Sequence, residues 1–212
     1  MSNLQPTAQG TKEPRLRVPS NGKTIYHRPL NRSKAAELSQ ANFAYLFSEM
    51  VVYAQRRVKG VQELEHRPNT QGHPIGLKLL DLLLYRQPPR SQLRPLSIIS
   101  LLDFIKQIVW QHLFGRQADR LEKSIDPDTP NQYRIIDNKP LVNQYISVPR
   151  EISGLNCAAF VAGVVEGVCE GADFPASVMA VTVGEVMLPG KTVVRVNFRD
   201  EVVEREGFLG KS

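Results

Sequence analysis

Apolar residues recur at helical spacing from Gln40 to Val58, at Phe43, Leu46, Phe47, Met50, Val51, Ala54 and Val58, with Ser39 placed to cap the start and Gly60 to end it. At about 100° per residue these positions cover a stripe about 140° wide, the usual width of a core-facing surface. Tyr45 and Val52 fall almost opposite Phe43, and Tyr53 lies beside the stripe. One buried face does not account for this helix. Val61 to Arg67 predicts a short helix stopped at Pro68, and Asn69 to Gly72 a loop. A second main helix follows from Pro74 to about Arg86, with Leu77, Leu79, Leu80, Leu82, Leu83 and Leu84 against a thin polar line of Lys78, Asp81 and Tyr85.

After Pro88 and Pro89, the stripe Leu101, Leu102, Ile105, Ile108, Val109 and Leu113 predicts a third helix from Pro95 to about Phe114. Gly115 ends it, and Gln117 to Lys123 reads as a further amphipathic turn or two. Gln132 to Asp137 and Leu141 to Val148 predict two strands joined by a turn at Asn138 to Pro140. A fourth helix spans about Leu155 to Glu170, its small residues Ala158, Ala159, Ala162, Gly163 and Gly167 permitting close approach to a neighbour, with Gly171 as its C-cap. Ala176 to Val186 and Thr192 to Asp200 alternate as strands around a Pro-Gly turn. The order predicts an α+β domain with an antiparallel sheet, its two hairpins separated by the fourth helix.

The first two main helices carry more apolar surface than one core can cover. Each fully exposed large side chain forgoes about 1.5 to 3 kcal/mol of burial, and several together rival a domain's stability of about 5 to 15 kcal/mol. The surplus predicts a permanent partner chain, with Tyr45, Val52, Tyr53, Leu79, Leu82 and Leu83 as interface residues.

Charge changes the picture at one end only. Residues 1–36 hold Lys12, Arg15, Arg17, Lys23, Arg28, Arg32 and Lys34 against a single acid, Glu13, so they account for the whole formal charge of +6. The remainder balances, which argues against nucleic-acid binding driven by bulk charge. With Pro6, Pro14, Pro19 and Pro29 and few large apolar residues, this segment reads as a disordered tail. It is either a solvated extension or, through Arg15, Arg17, Lys23 and Arg28, an arm for acidic headgroups or an acidic protein face. The expected organisation is a tail over 1–36, one domain over 38–206 and a flexible end over 207–212.

Chemical signals are sparse. His27, His66, His73 and His112 are scattered, and none shares a metal-ligand spacing with Cys, Asp or Glu. There is no phosphate-binding glycine loop and no Gly-x-Ser-x-Gly elbow. Cys157 is the best candidate nucleophile, near a helix start, but its apolar neighbours favour a packed thiol. Cys169 lies about 18 Å further along the same helix, too far for an intramolecular disulfide. Two cysteines and no apolar leader predict a reducing compartment, and the apolar run Ala158 to Cys169, interrupted by Glu166, is too short to span a membrane. No cofactor is expected.

Three stretches are specific: LFGRQADRLEKS at Leu113 to Ser124, LVNQYISVPRE at Leu141 to Glu151, and LNCAAFVAGVVEGV at Leu155 to Val168. In this order and spacing they resemble the small α+β subunits of the transport protein particle (TRAPP) complex, over roughly Ser39 to Glu206. The resemblance implies four helices packed on a twisted four-stranded antiparallel sheet, paired with a paralogous small TRAPP subunit through the first two main helices. It also implies a longin-type small subunit on the other side, larger TRAPP subunits, and a Rab-family GTPase reached through the complex. The implied role is that of a non-catalytic scaffold within a guanine-nucleotide exchange and vesicle-tethering particle, cytoplasmic and peripheral at the endoplasmic reticulum and cis-Golgi. A family paralogue carries a buried acyl chain on a Cys before the third helix; here Arg90 to Arg94 reads RSQLR, so acylation is not expected. A lipid- or small-molecule-binding domain and a thiol enzyme are the competing readings.

Overall fold

Helix α2, Val61–Arg86, runs without a break through Pro68 and Pro74. The structure, a computed structural model, describes residues 39–87, 94–126, 129–149, 152, 154–184, 187, 188 and 190–209. The basic segment 1–36, with the arm residues Arg15, Arg17, Lys23 and Arg28, lies outside the described residues. In chain order the elements are α1 (Gln40–Gln55), α2, α3 (Ile98–Phe104), a π-helical segment (Ile105–Val109), α4 (Trp110–Phe114), β1 (Arg120–Lys123), β2 (Gln132–Asp137), α5 (Leu141–Gln144), α6 (Ala159–Gly171), β3 (Ala176–Thr182), β4 (Thr192–Phe198) and α7 (Asp200–Leu209). The four strands form one antiparallel sheet in the order β1-β2-β4-β3, which gives the expected α+β class.

The expected stop at Pro68 and loop at Asn69 to Gly72 are corrected to one helix about 39 Å long at 1.5 Å per residue. Its reason lies in α6. A Cβ on Gly72 would sit 2.3 Å from the Phe160 carbonyl oxygen, and one on Gly76 would sit 2.1 Å from that of Val164. The converse holds too: a Cβ on Gly163 or Gly167 would meet the carbonyl oxygens of Asn69 or His73 at 2.0 and 2.1 Å. The two helices therefore run parallel in backbone contact, glycine facing backbone on both sides. A helix interior proline forfeits one hydrogen bond and strains the preceding turn. The continuous crossing offsets that loss, and the His73–Glu170 pair at 2.6 Å fastens its rim.

The same face of α2 continues into the core with Leu79, Leu80 and Leu83, beside Val161, Val164, Val165 and Val168 of α6 and Ile135, Val178, Val194, Val196 and Phe198 of the sheet. α6 ends in a Schellman motif. The Phe174 and Asp173 N–H groups donate to the carbonyls of Cys169 and Glu170, both at 2.9 Å. The left-handed residue is Asp173, φ 65°, and not the expected Gly171, which stays helical.

The third predicted helix changes pitch midway. The wider π turn at Ile105–Val109 advances the inward-facing register by about one residue. Trp110, which the straight-helix reading left out of the core stripe, is thus fully buried, and Ile108, which that reading included, is partly exposed. The wider turn also leaves the Lys106 carbonyl to accept the Ala118 N–H at 3.1 Å, which ties the chain after the helix back onto it. Ser97 and Ser100 cap its start reciprocally, and the Glu206 carboxylate of α7 accepts the Ile98 N–H at 3.0 Å.

Gly115, at φ 71°, turns the chain out of α4, and the next residues form an edge strand instead of the expected extra helical turns. The Asp119 N–H donates to the Ile136 carbonyl, and Arg120–Lys123 then pairs with Ile136–Tyr133. The Arg116 guanidinium bonds the Asp137 carboxylate and the Lys139 carbonyl, the latter at 2.8 Å. Asp137, 3% exposed, also accepts the Trp110 indole N–H at 3.1 Å and the Lys139 N–H at 2.9 Å. Asp119 accepts the Asn138 N–H at 2.7 Å. The Arg-x-x-Asp of the first specific stretch is thus a latch across the β2 turn.

The strand expected at Leu141 to Val148 is corrected to the short helix α5 and an irregular tail. Both sides of β2 are already taken, by β1 and β4, so no ladder position remains. Val142 is buried and Asn143 donates to Asn156 Oδ1 and Thr192 Oγ1, each at 3.3 Å. α7 has no counterpart among the elements the sequence predicts, and it extends through Leu209, three residues into the segment expected to be a flexible end.

Alanine in a helix interior ordinarily gains about 1 kcal/mol over glycine. Gly163→Ala is expected to do the reverse and lose about 1 to 3 kcal/mol in urea unfolding, because its methyl group meets backbone that cannot change rotamer. Arg116→Ala should lose about 3 kcal/mol by leaving Asp137 buried without its cation. In the same unfolding assay Arg116→Lys should recover only part of this, since a single ammonium cannot reproduce the fork of contacts.

Candidate functional site

The candidate site is the outer surface of α1 and α2. On α1 the buried side is Phe47, Val51 and Ala54, with Phe43 and Met50 packed at its margin. Phe43 stacks on Phe47 with ring centroids 5.5 Å apart, and Phe47 meets Phe160 of α6 edge-on at 5.7 Å. These contacts fix the rotation of α1 and leave Tyr45 78% exposed and Tyr53 49% exposed. The Arg57 guanidinium lies 3.5 Å over the Tyr53 ring. Val52 is half-buried. Leu46, read from sequence as part of the core stripe, is 74% exposed.

On α2 the six-residue interface expectation divides. Leu82 is 38% exposed and reaches the surface, whereas Leu79 and Leu83 are buried. That is a correction: both leucines continue the face that Gly72 and Gly76 turn toward α6, and belong to this chain's own core. Ile75, which is not among the expected interface residues, is exposed, and so is Tyr85, which the sequence places on the polar line. The signal for Ile75 was available, seven residues before Leu82 and so on the same side of an unbroken helix. Ile75 lies in the first turn of the helix predicted from Pro74, ahead of the leucine run from Leu77 that dominates its pattern.

The thiols are poor nucleophiles. Burial, and next the nearby Glu65 carboxylate, push Cys157 from 9.0 up to about 11. Burial and then Glu166 push Cys169 to about 12. The residue before Cys157 does structural work. Asn156 Oδ1 accepts the Ala158 N–H at 2.9 Å, and the Asn156 N–H donates to Glu65 Oε1 at 2.7 Å, joining the start of α6 to α2. His112 is surface-exposed on α4, its protonation disfavoured by partial burial and then by Arg86. Among the described residues no group of three or more His, Cys, Asp and Glu could hold a metal ion. No described helix is long and apolar enough to cross a membrane.

The fold and these surfaces can be set beside known proteins. A family model described as Transport protein particle (TRAPP) component matches residues 43–199. The chain belongs to this family. Trafficking protein particle complex subunit 5 of Dictyostelium discoideum is 45% identical over 183 residues, covering 85% of this chain and 95% of that protein. Subunit 5 of Gallus gallus is 48% identical over 185 residues, covering 87% and 93%. Among solved structures, a trafficking protein particle complex subunit 3 from Naegleria fowleri, covalently bound to palmitic acid, superposes with a TM-score of 0.63 over 76% of this chain and 95% of that one. At 16% identity this likeness speaks for the TRAPP fold alone. Family membership makes the chain a component of a multisubunit trafficking particle, with a role in vesicle trafficking.

The thiol reading has a direct check. At pH 8 the native protein should label with iodoacetamide far more slowly than the urea-unfolded chain, in which both cysteines react. Because folding raises both thiol pKa values, the native state holds its protons longer than the unfolded one, and stability should be level below about pH 9 and fall as pH climbs toward about 11. Urea midpoints measured across that range test the sign.

Proposed function

We propose that this chain is a scaffold subunit of the TRAPP guanine-nucleotide exchange and tethering particle, and that it docks a paralogous small subunit through the outer face of α1 and α2. The observation that carries the reading is the set of exposed apolar residues, Tyr45, Leu46 and Tyr53 on α1 with Ile75 and Leu82 on α2, on helices whose buried sides already fill the core. A water-exposed set of this size is what an obligate interface leaves behind when its partner is removed. The particle would act on a Rab-family GTPase in transport between endoplasmic reticulum and Golgi, where the protein would sit as a peripheral cytoplasmic component. A longin-type small subunit and larger subunits would contact other faces.

In this role the chain does no chemistry. An exchange factor binds the nucleotide-free GTPase more tightly than its GDP form, and by reciprocity weakens GDP binding. A scaffold holds the surfaces that do so in fixed relation. The high thiol pKa values and the latch residues committed to folding support a non-catalytic part. The basic segment 1–36, with Arg15, Arg17, Lys23 and Arg28, would serve as an accessory arm toward anionic lipid or an acidic neighbour.

Co-expression with the paralogous small subunit followed by size exclusion tests the interface. Tyr45→Glu with Leu82→Glu should abolish the heterodimer while the variant chain keeps its far-ultraviolet spectrum, because a charge in a desolvated hot spot costs binding far more than it costs an exposed fold. Leu79→Ala should lower stability by about 2 to 5 kcal/mol through a core cavity. A heterodimer that survives the double glutamate variant would sink the reading.

A further inference from the structure

The two edges of the sheet are built differently. β1 is four residues long and three of them, Arg120, Glu122 and Lys123, are charged, which is how sheet edges are ordinarily protected from added strands. β3 is seven residues, ASVMAVT. It has no charge and no proline, and it pairs with β4 without a bulge from Ala176↔Phe198 to Thr182↔Thr192.

The backbone direction of β3 follows from two sets of bonds. The Val183 N–H donates to the Lys191 carbonyl at 2.8 Å, and the Pro175 carbonyl accepts the Arg199 N–H at 3.2 Å. Odd-numbered residues therefore turn their backbone groups toward the β4 side. In an antiparallel strand the N–H and C=O of one residue face the same way, so Ala176, Val178, Ala180 and Thr182 face outward. Asn69 Nδ2, 3.4 Å from the Val178 carbonyl, confirms that direction, and among the described residues it alone bonds this outward row.

Between this edge and the helices lies a groove of about 410 Å³, lined on the helix side by Gln62, Glu65, His66 and Glu166. It holds two carboxylates, and no Lys or Arg lines it. Met179, which also lines the groove, is 64% exposed, with Val183 beyond it. The open edge thus offers two kinds of contact, the carboxylates Glu65 and Glu166 on the helix side and the exposed apolar side chain of Met179, which has the exposed Arg195 of β4 beside it.

We infer that β3 is a strand-addition site that takes an extended segment of another protein chain, alternating basic and apolar residues, as a fifth strand. Its backbone pairs with the outward groups of Ala176, Val178, Ala180 and Thr182, and takes over the Val178 carbonyl from Asn69 Nδ2. Its Lys or Arg side chains lie toward Glu65 and Glu166, and its apolar side chains cover Met179. Main-chain pairing supplies affinity and the alternating pockets supply selection. The inference stands apart from the α1 and α2 interface, since it uses the edge of β3 and the Glu65 side of α2, and neither Ile75 nor Leu82 lines the groove.

The test uses the full-length chain and two labelled eight-residue peptides with blocked ends, one alternating Lys and Val, the other Glu and Val. Fluorescence anisotropy should show saturable one-to-one binding of the Lys-Val peptide, weakened by salt, and none of the Glu-Val peptide. Ala180→Pro removes an outward N–H without touching the ladder to β4, and should weaken binding by about tenfold, the worth of roughly one hydrogen bond. Met179→Lys, at an exposed position, should weaken it with unfolding unchanged. Glu166→Gln should weaken it and flatten its salt dependence. In the unmutated chain, amide exchange at Val178, Ala180 and Thr182 should slow on saturation, a readout that stands even where the proline variant fails to fold. Equal binding of both peptides, binding indifferent to Met179→Lys, or no slowing at these amides would overturn the proposal. So would self-association through β3 in place of peptide binding, which would make a second copy the occupant.

Discussion

Two parallel helices touch backbone to backbone, and the positions of the other elements follow from that contact. Gly72 and Gly76 of α2 face the carbonyls of Phe160 and Val164, while Gly163 and Gly167 of α6 face those of Asn69 and His73. A pair at this distance gains dispersion along its whole length and has nothing to adjust, since neither side has a side chain that could shift. α6 is buried on nearly every side, so α2 forms part of its wall, with the sheet opposite. The two prolines within α2 are tolerated because the crossing spans the turns that they weaken.

A second constraint is polar and sits at the far end of the core. Trp110 is fully buried, yet its indole N–H requires an acceptor. The π turn rotates Trp110 inward, and Asp137 supplies that acceptor. A buried carboxylate in turn requires a cation, and Gly115 lets the chain reverse so that Arg116 can provide it. The reversal delivers Arg120–Lys123 to the edge of β2. Indole, carboxylate, guanidinium and left-handed glycine are one connected requirement, which gives a physical account of the stretch LFGRQADRLEKS.

The local elements could be read from sequence wherever the pattern is settled by neighbours in the chain. The inner stripe of α1 around Phe47 and Val51, strand β2, the β3 and β4 pair, and the small-residue helix α6 all stand close to their expected positions. What could not be read depends on distant partners. The continuity of α2 is decided by α6, ninety residues later. The strand at Arg120 is decided by β2, and the helical turn at Leu141 by the absence of a free ladder position. α7 is short and charged, held by Val202 in the core and by Glu206 at the start of α3. Of the candidate interface, the exposure of Tyr45 and Tyr53 was legible because α1 packs through one clean stripe. Leu79 and Leu83 were not, because nothing local marks which side of α2 its glycines face.

That last point determines where the outer apolar line must run. At about 100° per residue, Leu79, Leu83 and Gly76 lie within about 40° of the direction Gly72 points, while Ile75 and Leu82 lie about 60 to 80° to one side. Asp81 is opposite. Turning α2 to bury Ile75 and Leu82 more deeply would lift the glycines off α6 and bring side chains into contacts that sit below van der Waals distance. The fold therefore cannot internalise this line by adjustment. α1 shows the same geometry, with Leu46 and Tyr53 about 100 to 120° from Phe47 and held there by the stack of Phe43, Phe47 and Phe160. Exposed apolar residues on both helices are thus a consequence of how the interior is packed, and a partner chain is the remaining way to remove them from water.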